Sequence, residues 1–108
     1  MPFDGTKAAP LATALREKLG PNGEHWIQEV YEEGESVCLV GAINRIFQTD
    51  ARREAAMKKL AKVVRKPKYV PTTNDPETKI VNFNDHARNF RTIAAAINRL
   101  EQLELKGV

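Results

Sequence analysis

Residues 37–47 constrain the fold most strongly, because this segment is apolar on nearly every side until Asn44. A helix of this kind must be covered all round, which places it in the middle of a domain. Ser36 is a suitable N-cap for it. Gly41 lies in its interior, where glycine costs about 1 kcal/mol relative to alanine, so we expect a close contact there. The segment therefore predicts a central, buried helix.

Three other segments carry apolar residues at helical spacing. The first ends at Gly20-Pro21, a pair that caps and terminates helices. The second covers about residues 49–64 and begins at Thr49 or Asp50, and the third follows a cap at Asn89. The apolar stripes are Leu11, Leu15 and Leu19, then Ala56, Leu60, Val63 and Val64, and finally Phe90, Ile93, Ala94, Ile97 and Leu100.

The remaining segments give weaker signals. Residues 25–31 fit either a helix or a strand. Residues 66–79 are rich in Pro, Thr, Asn and Asp, which predicts a long loop that is either flexible or a binding loop. Residues 80–83 are expected to be extended or to form a short strand, with a turn at Asn84-Asp85. The sum is a mainly α fold, a compact bundle of about four helices around the central apolar helix, with two short β-strands at most. Residues 1–108 would form one domain.

The cysteine content and the terminus bear on the cellular compartment. Cys38 is the sole cysteine, so neither an internal disulfide nor a multi-cysteine zinc site can form. The first five residues, Met-Pro-Phe-Asp-Gly, lack the layout of a secretory signal, and no apolar run reaches the roughly 18 residues of a membrane span. A cytoplasmic protein without a membrane partner is predicted.

Cys38 is the first candidate for chemistry. The first turn of a helix can lower a thiol pKa, and His86 or His25 could serve as a base oriented by Asp85 or Asn84. Free cysteine is, however, among the most frequently buried residues, and apolar neighbours surround Cys38 in the sequence. A core role is therefore favoured over a nucleophile.

Asn84-Asp85-His86 is the second candidate. Adjacent Asn and Asp side chains commonly hold a turn, which is the favoured interpretation. The functional alternative is a ligand pocket walled by aromatic side chains. Its candidate residues are Trp26, Cys38, Asn84, Asp85 and His86, with Phe83 beside them. No motif for a nucleotide, a cofactor or a catalytic metal occurs, so no cofactor and no metal ion are predicted.

Charge is unevenly distributed along the chain. Residues 52–68 contain eight basic residues and one acid, whereas residues 24–35 contain five acids and no Lys or Arg. Such runs usually form solvated faces, or patches that face each other within one fold or face a second copy. The alternative is nucleic-acid binding by the basic helix, with Tyr69 close by. The candidate residues for that role are Arg52, Lys59, Lys62, Lys66 and Lys68.

Three motifs occur in order along the chain: the tryptophan of residues 25–28, the Cys-x-x-Gly-Ala helix of residues 38–42, and an aromatic-Asn-Asp turn at residues 83–85. Together they resemble a small uncharacterised domain family of bacteria and phages, family 6197. Phe83 stands where the family usually has tryptophan, and Arg88-Asn89 takes the place of its usual Arg-Thr. The resemblance implies a fold over about residues 11–103 and a bacterial or phage origin, and it implies no activity.

The functional expectation is therefore a non-catalytic interaction or accessory protein that binds a protein partner or itself. One alternative is nucleic-acid binding through residues 52–68. The other is a small-ligand pocket or a cysteine-dependent enzyme at Cys38, Asp85 and His86.

Overall fold

The computed structural model describes residues 9–107, and within them the fold is mainly α with two short strands, as predicted. Residues 1–8, including the terminus used for the compartment prediction, and Val108 lie outside this part. The elements in chain order are α1 (Pro10–Leu19), β1 (Glu32–Glu33), β2 (Ser36–Val37), α2 (Leu39–Ile46), α3 (Asp50–Ala61), α4 (Pro76–His86) and α5 (Phe90–Leu105).

Helix α2 is the predicted central helix. Leu39, Val40, Ala42 and Ile43 are at most 1% exposed, and α2 packs against α1, α3 and α4. The prediction that it begins at Val37 with a Ser36 cap is wrong. The Val37 N–H donates to the carbonyl of His25, and the Val37 carbonyl accepts from Ile27, so extended pairing occupies this residue. The helix therefore begins at Leu39, and Cys38 is its N-cap.

The two strands form a hairpin in a segment where neither strand was expected. Glu32 pairs with Val37 and Glu33 with Ser36, in antiparallel register. Gly34 lies between the strands with a φ of 63°, a conformation that glycine adopts easily. Residues 25–31 before the hairpin form turns and one parallel bridge between Trp26 and Val37, rather than a helix or a regular strand.

Three predictions are wrong in the region of α4. The loop expected over residues 66–79 ends at Asp75, residues 80–83 are helical rather than extended, and Asn84-Asp85 lies in the last turn of the helix. The count of described helices is therefore five instead of four. Asp75 caps α4 by accepting from Thr78 N at 3.0 Å, and Pro76 occupies the first turn. An Asp-Pro start is a recognised helix signal, and it is present in the sequence.

Helices α1 and α5 pack along each other through their predicted leucine and isoleucine stripes. Ala9, the N-cap of α1, has no side-chain cap. Glu104 near the end of α5 supplies one instead, because its carboxylate accepts from Leu11 N at 3.1 Å and Ala12 N at 2.8 Å. Lys59 of α3 lies 3.2 Å from the same carboxylate. This buried charge therefore joins three helices.

We expect Glu104→Gln to lower the free energy of unfolding by about 2 kcal/mol. The amide loses the charge-assisted bonds and turns an N–H group toward backbone donors. Glu101→Gln is the control, because its surface ion pair with Arg16 contributes at most about 1 kcal/mol. Urea denaturation followed by circular dichroism measures both variants. Equal losses would show that Glu104 does not cap α1.

Candidate functional site

Asn84 is the centre of a polar cluster that joins three segments of the chain. Its side chain is fully buried in the last turn of α4. The Asn84 cluster consists of this residue and the groups that bond to it or to Asp85, namely Trp26, Ile27, Gln28, Glu29, Leu39 and Asp85. It ties α4 to the loop before the hairpin and to the start of α2.

The Asn84 amide makes four side-chain hydrogen bonds. Its Oδ1 accepts from Trp26 Nε1 at 2.9 Å and from Leu39 N at 3.1 Å. Its Nδ2 donates to the Ile27 carbonyl and to Asp85 Oδ1, both at 3.1 Å. An asparagine side chain offers two donors and two acceptor positions, so its capacity is filled. A group satisfied in this way stabilises the fold and has no free position for a ligand.

Asp85 and Gln28 complete the cluster on its outer side. Asp85 Oδ1 accepts from Glu29 N at 2.9 Å, where Glu29 has a φ of 72°. This left-handed conformation is uncommon for a non-glycine residue, and the bond to Asp85 helps to hold it. Gln28 Nε2 donates to the carbonyls of Asn84 and Ala87, at 2.9 and 2.8 Å. Gln28 thereby satisfies carbonyls at the C-terminal end of α4.

Cys38 is adjacent to this cluster and is buried. Its Sγ accepts from Gly41 N at 3.3 Å, so the thiol caps α2. Burial raises the pKa of the Cys38 thiol, and the nearby negative charge of Asp85 raises it further, which outweighs the backbone N–H groups that lower it. A raised pKa disfavours the thiolate that a nucleophile requires.

We expect native Cys38 to resist alkylation and to react quickly after denaturation. Its folded pKa is raised, so its contribution to stability is full at neutral pH and is lost as the pH rises into the range where a free thiol ionises. Labelling with iodoacetamide, with and without urea, gives the two alkylation rates when the product is followed by mass spectrometry. Rapid labelling of the native protein would contradict the capping role.

The structure does not bring His86 to Cys38. His86 is exposed, its Nδ1 lies 2.9 Å from the Asn82 carbonyl, and its side chain lines a separate cavity. Of the five predicted pocket residues, Trp26, Asn84 and Asp85 meet directly and Cys38 lies beside them. The ring of Trp26 packs 5.8 Å from that of Phe90, between ring centroids.

The predicted basic residues do not form a single stripe, because α3 ends at Ala61. Arg52 is exposed near the start of the helix, whereas Lys59 is engaged with Glu104. Lys62 is the exposed C-cap of α3. Lys66 Nζ donates to the carbonyls of Pro67 and Val70, and Lys68 Nζ lies 5.8 Å from the centroid of the Tyr69 ring.

A cavity of about 530 Å³ collects basic residues that the sequence interpretation missed. Arg65 comes from the segment after α3, His86 from the end of α4, and Arg91 and Arg99 from α5. We call it the arginine cavity. Arg91, Ala95 and Arg99 are spaced by four residues, which places them on one face of α5 and could have been noticed in the sequence.

A second cavity of about 220 Å³ adjoins the arginine cavity, since Pro67 lines both. Lys66 and Lys79 line it together with the polar residues of the loop before α4. Tyr69 on the same segment is 89% exposed. We call the two cavities together the basic groove, with basic residues Arg65, Lys66, Lys79, His86, Arg91 and Arg99.

Within residues 9–107, no three His, Cys, Asp or Glu side chains lie close enough together to hold a metal ion. In the same part of the chain, none of the helices has both the length and the apolar character needed to cross a membrane.

A family model described as a family of unknown function, DUF6197, matches residues 6–103. The chain belongs to this family. No curated protein and no solved structure matches the chain.

The three motifs that carried the resemblance to DUF6197 meet in space. Trp26 and Asn84 are directly bonded, and the Cys38 motif begins beside them at the start of α2. Gly41 of that motif faces the hairpin, because a Cβ there would lie 2.0 Å from the Tyr31 carbonyl oxygen. In this chain, these three motifs therefore specify contacts of the fold.

Proposed function

We propose that this protein is non-catalytic and acts by binding a partner in the bacterial cytoplasm, including that of a phage-infected cell. The geometry supports a binding role because the best candidates for chemistry hold the fold together. Asn84 has its bonding capacity filled, and Cys38 is a buried cap with a raised pKa.

The basic groove is the surface that best supports this role, and nucleic acid is the partner class that its chemistry favours. One observation carries the proposal: Arg65, Arg91 and Arg99 line one cavity whose lining contains no Asp or Glu. Guanidinium groups bind phosphates with directed hydrogen bonds. Tyr69 lines neither cavity, but it is exposed beside Lys68 on the segment that carries Pro67 and Pro71, and it offers an aromatic surface on which a base can stack.

Fluorescence anisotropy with labelled single strands and duplexes tests the proposal. We expect affinity to fall with salt, with a log–log slope of about −0.7 per neutralised phosphate for single strands and about −0.9 for duplexes. Arg65→Ala and Arg91→Ala should each weaken binding and reduce the magnitude of the slope by about one contact. Arg52→Ala is the matched control, because Arg52 is exposed but lies outside the groove.

Two results with nucleic acid would overturn this partner class. One is the absence of binding at low salt, and the other is an equal loss of affinity in the Arg52→Ala control. Polyglutamate serves as a polyanion without phosphate, and equal affinity for it would show that the groove does not recognise phosphate.

A protein partner is the second candidate, favoured by the hairpin. Val30 and Tyr31 are about half exposed beside the acidic residues Glu32, Glu33 and Glu35. An apolar patch with an acidic rim suits a basic protein surface, either of another protein or of a second copy. Sedimentation at low and high salt tests self-association, which Glu33→Lys should abolish. A monomer under all conditions would leave only a different protein as this partner.

A further inference from the structure

We infer that the arginine cavity is a site for a terminal phosphate, that is, a phosphomonoester at the end of a nucleic-acid strand or on a mononucleotide. This inference rests on the proposed function and deepens it, because it names the chemical group that the cavity recognises.

Three arginine residues line the cavity, and they come from two separate parts of the chain. Arg91 and Arg99 lie two turns apart on α5, and the small side chain of Ala95 between them leaves space. Arg99 is oriented by its backbone contact, since its Nε donates to the Val63 carbonyl at 2.8 Å. Arg65 lies close enough to Arg99 to contribute to lowering its pKa, after the larger effect of burial.

This concentration of positive charge has no counter-charge among the groups that line it. In the part of the chain from residue 9 to 107, no carboxylate lies within 4.0 Å of Arg65, Arg91 or Arg99. A cluster of positive charges without a neighbouring acid attracts anions to its surface. An anion is therefore the class of ligand that suits the lining of the cavity.

The start of α5 also favours the binding of an anion. Arg91 is in the first turn of the helix, which contains no acid, although the helix dipole disfavours a cation there. Asn89, the N-cap, makes no side-chain bond to the helix, and Asn89 and Thr92, which carry an amide and a hydroxyl group, both line the cavity. These polar groups and the backbone N–H groups are donors suited to phosphate oxygens.

The charge and the size of the cavity favour a terminal phosphate over an internal one. An internal phosphodiester carries one negative charge, whereas a phosphomonoester carries close to two at neutral pH. Three arginines match the larger charge better. A volume of about 530 Å³ lies within the usual range of ligand pockets, so a sugar attached to the phosphate also fits.

The experiment compares one oligonucleotide of about 12 nucleotides with and without a 5′-phosphate or a 3′-phosphate, together with inorganic phosphate and a mononucleotide. We expect a terminal phosphate to raise affinity at least about tenfold, the effect of one charge-assisted hydrogen bond. In NMR titrations, phosphate and the mononucleotide should shift the amides of Arg91 and Thr92. Arg65→Ala and Arg91→Ala should abolish the preference, whereas Arg52→Ala should keep it.

The outcomes separate this inference from the proposed function. Equal affinity for oligonucleotides with and without a terminal phosphate overturns the inference and leaves nucleic-acid binding intact. Binding of phosphate and the mononucleotide without binding of any oligonucleotide supports the site and overturns the proposed function. Shifts spread over all basic surfaces and unchanged by Arg91→Ala overturn the inference. Arg91→Ala should remain folded, because it removes an exposed cation from a helix N-terminus.

Discussion

Asn84→Ala will lower the free energy of unfolding by about 4 kcal/mol. The substitution leaves Trp26 Nε1, the Leu39 N–H and the Ile27 carbonyl without their partner, and each such buried group costs about 1–3 kcal/mol. A domain of this size has a total stability of about 5–15 kcal/mol, so the loss is a large share of it. Urea denaturation followed by circular dichroism gives the value.

Two further variants make the prediction testable even when Asn84→Ala is too unstable to purify. Trp26→Phe removes one bond to Asn84 and should cost about 1–2 kcal/mol. Asn82→Ala is the matched control on the same helix, and we expect its free energy of unfolding to change by no more than about 0.5 kcal/mol. Among the described residues, the contact of Asn82 with the His86 side chain is made by its backbone carbonyl, which the substitution keeps. An Asn84→Ala variant as stable as Asn82→Ala would refute the role of Asn84 as a link between segments.

Gly41→Ala will destabilise the protein by about 3 kcal/mol, although alanine is the better helix former. A Cβ at this position would lie 2.0 Å from the Tyr31 carbonyl oxygen and 2.9 Å from its carbon. These are backbone atoms, and the same oxygen accepts from Cys38 N at 3.1 Å. The hairpin must therefore move away from α2 or the helix must shift.

Gly34→Ala is the control for this effect. Nothing lies within 4 Å of a Cβ at Gly34, so the cost there is only that of a left-handed conformation, about 1–2 kcal/mol. Thermal unfolding separates the two variants, because a loss of 3 kcal/mol lowers Tm by roughly 10–25 °C in a domain of this size. A Gly41→Ala variant no less stable than Gly34→Ala would mean that the close contact with Tyr31 does not exist.

Family membership and the helices with the clearest periodicity were predictable from the sequence. The leucine stripe of α1, the apolar segment of α2 and the stripe of α5 are local patterns, and each was assigned to the correct kind of element. The close contact at Gly41 was also expected, because a glycine inside a helix needs a reason. Periodicity and capping act within a few residues, so a sequence reports them directly.

Helix α4 was missed because composition was given more weight than capping. Residues 66–79 suggest a loop, and β-branched Ile80 and Val81 suggest a strand. The Asp75 cap and the burial of Ile80 and Phe83 against the core make the segment helical. Local preference of this kind is weak, and packing overrides it.

Only the tertiary structure decided which residues from distant parts of the sequence contact one another. Asn84 bonds to Trp26 and Leu39 across 58 and 45 residues of sequence, and Glu104 reaches Leu11 across 93. The arginine cavity likewise assembles from the segment after α3, the end of α4 and the face of α5. A sequence shows which residues are polar or charged, but only the folded chain sets which of them share a buried bond and which share an open cavity.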